Sequence, residues 1–231
     1  MLEPMLLLGP KLLLGIDTCG PMGSVALGRV TGSGDGASVE ILGQAELEGR
    51  SYSTTLVAAI ADLLTQTGMQ VGLLNAIVAV SGPGSFTGVR IALAAVKGLA
   101  EPAQIPVAAL SRLEVLARKA GVPWSALDAH RGEVFLRMDQ PVRELLAGAR
   151  ELAAVDSVPA RIAICDDAAA MVLGAAWPAV ELVRTAPPNA ADALKQGAAR
   201  VAAGEFADLA LLDGHYVRRS DAEIFGETPR A

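Results

Sequence analysis

The stretch SGPGSFTGVR (Ser81–Arg90) carries the residue types best suited to chemistry in this chain. Glycines beside hydroxyl side chains at the head of a helix leave backbone N–H groups free, and such a turn can meet a phosphate or a carboxylate. The familiar spacings do not fit. A Walker loop ends Gly-Lys-Ser/Thr, so that lysine reaches the phosphates and a hydroxyl holds magnesium; here Gly88 is followed by Val89 and Arg90. The dinucleotide fingerprint G-x-G-x-x-G would need glycine where Thr87 stands after Gly82 and Gly84. A nucleophile elbow, G-x-S-x-G, fails because Pro83 and Thr87 flank Ser85. What remains is a sharp strand-to-helix turn through Gly82-Pro83-Gly84, with Ser85 or Thr87 as helix cap. A bare cap and an anion site fit it equally well.

The other candidates are isolated. Asp17 closes the apolar run LLLGID, and Asp128 closes a similar run before His130. Asp17 could position magnesium with Asp128 assisting, but an Asp at a strand end is as readily a turn former. His130 and His215 form no HExxH or HxxxH pattern, so no metal site is expected. Cys19 and Cys165 form no CxxC pair and no disulfide framework, which fits a reducing cytoplasm. Cys19 has no evident His partner and reads as a buried small residue. With 19 basic against 25 acidic residues the net charge is −6, and there is no Lys/Arg-rich run. Tight nucleic-acid binding by the chain alone is therefore not expected, although Arg218 and Arg219 could add phosphate contacts within a complex. No run is long and pure enough to cross a bilayer. Residues 1–10 read as a short extension, since Glu3 stands where a signal peptide needs positive charge.

The elements that would position these residues follow from periodicity. LLLGID, SVALGRV and VEILGQAE read as strands, SYSTTLVAAIADLLTQTG as a helix capped by Ser51 or Ser53, and NAIVAVSG as a buried strand leading into the glycine turn. The order β-β-β-α-β-α describes a layered α/β lobe. Pro102 and Pro106 mark a change of region, giving a first lobe over 11–104, a smaller lobe over 105–214 and a polar tail over 215–231. Strand, Asp17, turn, Gly23, strand recurs as strand, Asp128, turn, Gly132, strand. Two related lobes would give this echo; so would two ordinary hairpins, which the sequence alone favours.

Two helices carry more apolar surface than one sheet can cover. From Val89 to Ala100 the only charges are Arg90 and Lys97, seven apart on one stripe. Gly88, Ala92 and Ala95 form a small-residue row open to another helix. The earlier helix has two apolar stripes, Leu56/Ile60/Leu63 and Val57/Ala61/Leu64. A helix that is apolar all round is covered on more than one side. Either the second lobe or a docking partner would cover the rest.

GIDT (Gly15–Thr18), SGPGSFTGVRIALAAVKGLA (Ser81–Ala100), DAHRGEVF (Asp128–Phe135) and HYVRRSDAE (His215–Glu223) occur in an order that resembles the TsaB/YeaZ family over nearly the whole chain after Lys11. The resemblance implies a two-lobed, actin-like fold of ribonuclease-H-like topology with a reduced second lobe. It implies a non-catalytic subunit that supports a TsaD-type transferase in forming threonylcarbamoyladenosine on tRNA, with a TsaE-type ATPase joining and tRNA bound through the complex. The rival is an enzyme, an actin-like ATP-dependent phosphotransferase or a glycoprotease. No intrinsic cofactor is expected; ATP or ADP at the complex interface and a homodimer of the free chain stay open. The partner surface is then expected at Ser53, Leu56, Ile60, Phe86, Gly88, Val89, Ala92 and Ala95. Vestigial phosphate-type loops are expected at Asp17, Thr18, Gly82, Gly84, Ser85, Thr87 and Asp128. Family members often carry His-Ser at the head of the first helix; here the pair is Tyr52-Ser53.

Overall fold

A computed structural model describes residues 11–31, 38–49 and 51–217. Its contacts divide the chain into two units, 1–115 with 187–214, and 116–186 with 215–231. The extension 1–10 and most of the tail, with Arg218 and Arg219, lie outside the described residues.

The first unit is built on a five-stranded sheet of order β3-β2-β1-β4-β5. Its strands are β1 (Lys11–Asp17), β2 (Met22–Thr31), β3 (Ser38–Glu48), β4 (Ala76–Val80) and β5 (Val107–Leu110). β1, β2 and β3 form an antiparallel meander, while β4 pairs parallel to β1, and β5 parallel to β4. β1 and β4 are buried almost throughout, so both faces of the sheet must be covered. The helices α1 (Tyr52–Gln66) and α2 (Phe86–Ala103) take one face; α6 (Ala190–Ala203) sits against Gly15 and Val78 on the other. Close approach makes glycine necessary there: a Cβ on Gly15 would lie 2.7 Å from the Ala190 carbonyl oxygen, and one on Gly197 2.5 Å from Val78. α6 starts on a reciprocal cap between Asn189 and Asp192 and stops at Gly204, whose φ is +73°.

The second unit repeats the plan with shorter strands. β6 (Ser125–Asp128), β7 (Val134–Met138) and β8 (Arg143–Ala147) form the meander; β9 (Arg161–Ile164) pairs parallel to β6 and β10 (Glu181–Arg184) parallel to β9. The order β10-β9-β6-β7-β8 is the first sheet's connectivity over again. This decides the echo between Asp17 and Asp128 in favour of two related units. The helices α4 (Ala149–Ala153) and α5 (Asp167–Ala176) cover a core of Val134, Leu136, Leu152, Ile162, Ile164, Leu173 and Trp177. Trp124 meets Trp177 edge-on at 6.3 Å between ring centroids, and Trp177 Nε1 donates to the Leu152 carbonyl at 3.2 Å.

The division does not fall at 104/105 as the prolines suggested. Pro102 lies in the last turn of α2, which ends on Gln104 at φ +53°, and the chain then returns as β5 to the first sheet. The change of unit comes inside α3 (Arg112–Ala120), between Val115 and Leu116. α6, expected in the smaller lobe, belongs to the first unit because its small-residue face fits the far side of the first sheet.

A docking face on two helices and the turn behind it

The two helices of the candidate surface begin differently. α2 is capped by Ser85, whose Oγ accepts from the Gly88 N–H at 3.2 Å. α1 begins after Ser51, whose hydroxyl bonds back to the Glu48 carbonyl at 2.9 Å rather than capping the helix.

The structure corrects which face is free. Leu56, Ile60, Gly88, Val89 and Ala92, expected at the partner surface, point into the first unit's own core; Ala92 is 0% exposed and Leu56 1%. Ala95 is half-buried against the same core. The small-residue row seats α2 on its own sheet and turn: a Cβ on Gly88 would lie 2.0 Å from the Thr18 carbonyl oxygen. Of the two apolar stripes on α1, Leu56/Ile60/Leu63 goes inward. The other is split, with Leu64 buried and Val57 and Ala61 exposed.

The outward side of the pair therefore includes Ser53, Thr54, Val57, Ala58, Ala61 and Asp62 on α1 with Phe86, Thr87, Arg90, Ala94 and Gly98 on α2. Val57 is 62% exposed and Phe86 38%. The Arg90 guanidinium lies over the Phe86 ring, 3.7 Å from its centroid, so a cation at the head of α2 is stacked on an aromatic. Ser53 and Phe86 thus remain on the surface as expected, and Thr87 is exposed beside them.

Behind the helix heads lies the β1–β2 turn, and its polar groups are consumed internally. Asp17, 1% exposed, accepts the Cys19 N–H on Oδ1 at 2.8 Å and faces Arg112 Nε on Oδ2 at 3.4 Å. Thr18 Oγ1 donates to the Gly88 carbonyl at 2.6 Å, and the Ser85 N–H donates to the Cys19 carbonyl at 2.7 Å. Gly84 has φ +159° and no room for a side chain, since a Cβ would lie 2.2 Å from the Cys19 carbonyl oxygen. The glycines of the motif serve chain packing. Asp17, weighed above as a magnesium ligand or a turn former, acts here as a turn former paired with the buried Arg112 guanidinium.

Arg112, which sequence reasoning did not single out, and Tyr52, noted there only as a departure from the family's His-Ser pair, complete this arrangement. Tyr52, 2% exposed, donates its hydroxyl to the Gly20 carbonyl at 2.8 Å. Burial, with the Asp17 charge adding, pushes its phenol from the ordinary value near 10 up to about 12. The Cys19 thiol is likewise raised by burial first and Asp17 second, and its Sγ contacts the Val80 carbonyl at 3.4 Å. Because the folded state holds the Tyr52 proton longer than the unfolded chain, stability should fall as pH rises from about 10 through about 12. Urea midpoints across that range would show the decline in the parent; a Tyr52→Phe chain should lack this part of it.

In the second unit Asp128 repeats the local pattern of Asp17, accepting the His130 N–H at 2.8 Å. His130 Nδ1 lies 2.9 Å from Asp128 Oδ2, with the imidazole 85% exposed, and the Asp128 N–H donates to Asp166 at 3.2 Å. His215 instead meets the buried Glu144 at 2.8 Å, alongside Arg137. Among the described residues no three His, Cys, Asp or Glu side chains come together as metal ligands would, and no helix is long and apolar enough to cross a membrane.

Comparison with known proteins gives consistent results. Residues 44–172 match the model of the family described as TsaD, tRNA N6-adenosine threonylcarbamoyltransferase. The tRNA threonylcarbamoyladenosine biosynthesis protein TsaB of Escherichia coli is 36% identical over 129 residues, covering 53% of this chain and 52% of that protein. The protein of the same name from Bacillus subtilis is 37% identical over 101 residues, 42% of this chain and 44% of that one. The chain thus spans about half the length of the curated relatives it matches. The solved structure of YeaZ from Pseudomonas aeruginosa superposes with a TM-score of 0.67 at 27% identity, covering 89% of this chain and 99% of that one. A second Pseudomonas aeruginosa structure, described as an uncharacterized protein with similarity to peptidase YeaZ, gives the same TM-score over 90% of this chain. The fold is therefore the two-unit, actin-like α/β fold of ribonuclease-H-like topology.

Proposed function

We propose, from the premise that this chain belongs to the TsaB/YeaZ family, that it is a non-catalytic subunit which docks a TsaD-type transferase for threonylcarbamoyladenosine formation on tRNA. The observation that carries the reading is the outward face of α1 and α2. Val57, Ala58, Ala61, Ala94 and Gly98 leave two neighbouring helices with small or apolar side chains facing solvent. Small side chains let partner helices approach closely, and Phe86 with Arg90 supplies an aromatic and a guanidinium of the kind enriched at binding hot spots. A TsaE-type ATPase, tRNA and a nucleotide held at the complex interface belong to the same proposal as components of the assembly.

A catalytic reading has one observation in its favour, the match over residues 44–172 to a transferase family. The Asp17–Arg112 pairing weighs against it, because the carboxylate best placed for phosphate chemistry is already neutralised. The test is reconstitution. The chain should co-purify with its cognate TsaD-type protein, and threonylcarbamoylation of tRNA should need both. The isolated chain should show no ATP turnover and no peptide hydrolysis. Turnover by the isolated chain that Asp17→Ala abolishes would establish the enzyme instead.

A further inference from the structure

We propose that the turn Thr18–Pro21 is a clamp that sets the gap between the heads of α1 and α2, with Thr18 and Tyr52 as positioning residues for the docking face. The inference rests on the docking reading and adds to it residues that lie behind the face. Each helix head is bonded to this one turn, α2 by two hydrogen bonds and α1 by one. On the α2 side the ties are Thr18 Oγ1 to the Gly88 carbonyl at 2.6 Å and the Ser85 N–H to the Cys19 carbonyl at 2.7 Å. On the α1 side the tie is the Tyr52 hydroxyl to the Gly20 carbonyl at 2.8 Å, from the first residue of the helix.

The turn itself is held from below. Asp17 fixes the Cys19 N–H, and Arg112 lies between Asp17 and Gly20, so closely that a Cβ on Gly20 would lie 2.3 Å from its guanidinium. The same tightness recurs at both helix heads, where a Cβ on Gly23 would meet the Tyr52 ring at 2.7 Å and one on Gly84 the Cys19 carbonyl at 2.2 Å. Thr18 is 0% exposed and Tyr52 2%, so neither can touch a docked protein. Their effect on docking must pass through the spacing of the helices. Burial keeps the Tyr52 phenol protonated as a donor until about pH 12, so this tie persists at every ordinary pH.

Thr18→Val and Tyr52→Phe each remove one tie while keeping the side chain's shape, and Thr18→Ser restores the hydroxyl. Spin labels at Ala58→Cys and Ala94→Cys, in a Cys165→Ser background with Cys19 buried, report the helix-to-helix distance in the free, full-length chain. The expected result is a shifted or broadened distance for Thr18→Val and for Tyr52→Phe, and a parental distance for Thr18→Ser. Without the labels, affinity for the cognate TsaD-type protein should fall roughly tenfold in the first two, the scale of one lost hydrogen bond, and recover in Thr18→Ser. Unchanged distances in both variants, or changed distances with unchanged affinity, overturn the positioning role. If Thr18→Val fails to fold, Tyr52→Phe decides alone. If Ala94→Arg leaves association intact, the docking reading fails, and the label distance in the free chain decides whether the clamp exists.

Discussion

Ala92→Arg is expected to unfold the free chain, while Ala94→Arg leaves it folded. The two positions lie two residues apart on α2, nearly on opposite sides of the helix. Ala92 is 0% exposed against the first sheet; Ala94 faces solvent. An arginine at 92 must either bury an unpaired guanidinium or push α2 off the sheet, and either costs several kcal/mol, a large part of what holds a domain of this size together. An arginine at 94 should change stability by no more than about 0.5 kcal/mol, as for a surface substitution. Thermal melting of the two free proteins separates them. Equal melting temperatures would mean that the inward face of α2 has been assigned wrongly.

The second large effect concerns Arg112. Its side chain is 7% exposed and that of Asp17 1%, so each is the other's compensation in a water-poor site. Arg112→Met should strand the carboxylate and cost about 3–5 kcal/mol, the usual penalty for breaking a buried pair by removing one member. Asp17→Asn added to it should recover most of the loss, because Asn keeps an acceptor for the Cys19 N–H and removes the uncompensated charge. Urea unfolding of the parent, both single variants and the double variant gives the coupling directly. Additive losses would show that the two residues act separately, and a single variant as stable as the parent would show that the pair contributes little.

These two cases also mark what the sequence could and could not reveal. Four of the five strands of the first sheet, β1 to β4, were legible, because continuous apolar runs bounded by Asp and Gly have few other solutions. The surplus of apolar surface on α1 and α2 was legible too. Its direction was not: Gly88, Ala92 and Ala95 form a small row that suits either a partner helix or the chain's own backbone, and helical spacing cannot distinguish them. The close approach of Gly88 to the Thr18 carbonyl, a contact across 70 residues, settles it for the chain's own turn. The unit boundary was misplaced for a related reason. Pro102 and Pro106 signal a break in a helix, but whether β5 joins one sheet or another depends on pairing partners that local sequence does not encode. Arg112 was overlooked because a lone arginine at a helix start reads as solvent-facing. Only its long-range partner, Asp17, makes it a buried counter-ion. The duplicated plan was visible only as Asp17/Gly23 and Asp128/Gly132, too short a pattern to outweigh a pair of ordinary hairpins until both sheets showed one strand order.

The central claim is that the outward face of α1 and α2 docks a TsaD-type protein, and calorimetric titration of the cognate TsaD-type protein into the parent and Ala94→Arg chains tests it most directly. Measurable association by the parent and its loss in Ala94→Arg, by at least about 2 kcal/mol as expected for a charge placed at the centre of an interface, with an unchanged melting temperature, is the predicted result. A folded Ala94→Arg chain that binds the partner as tightly as the parent would contradict the account.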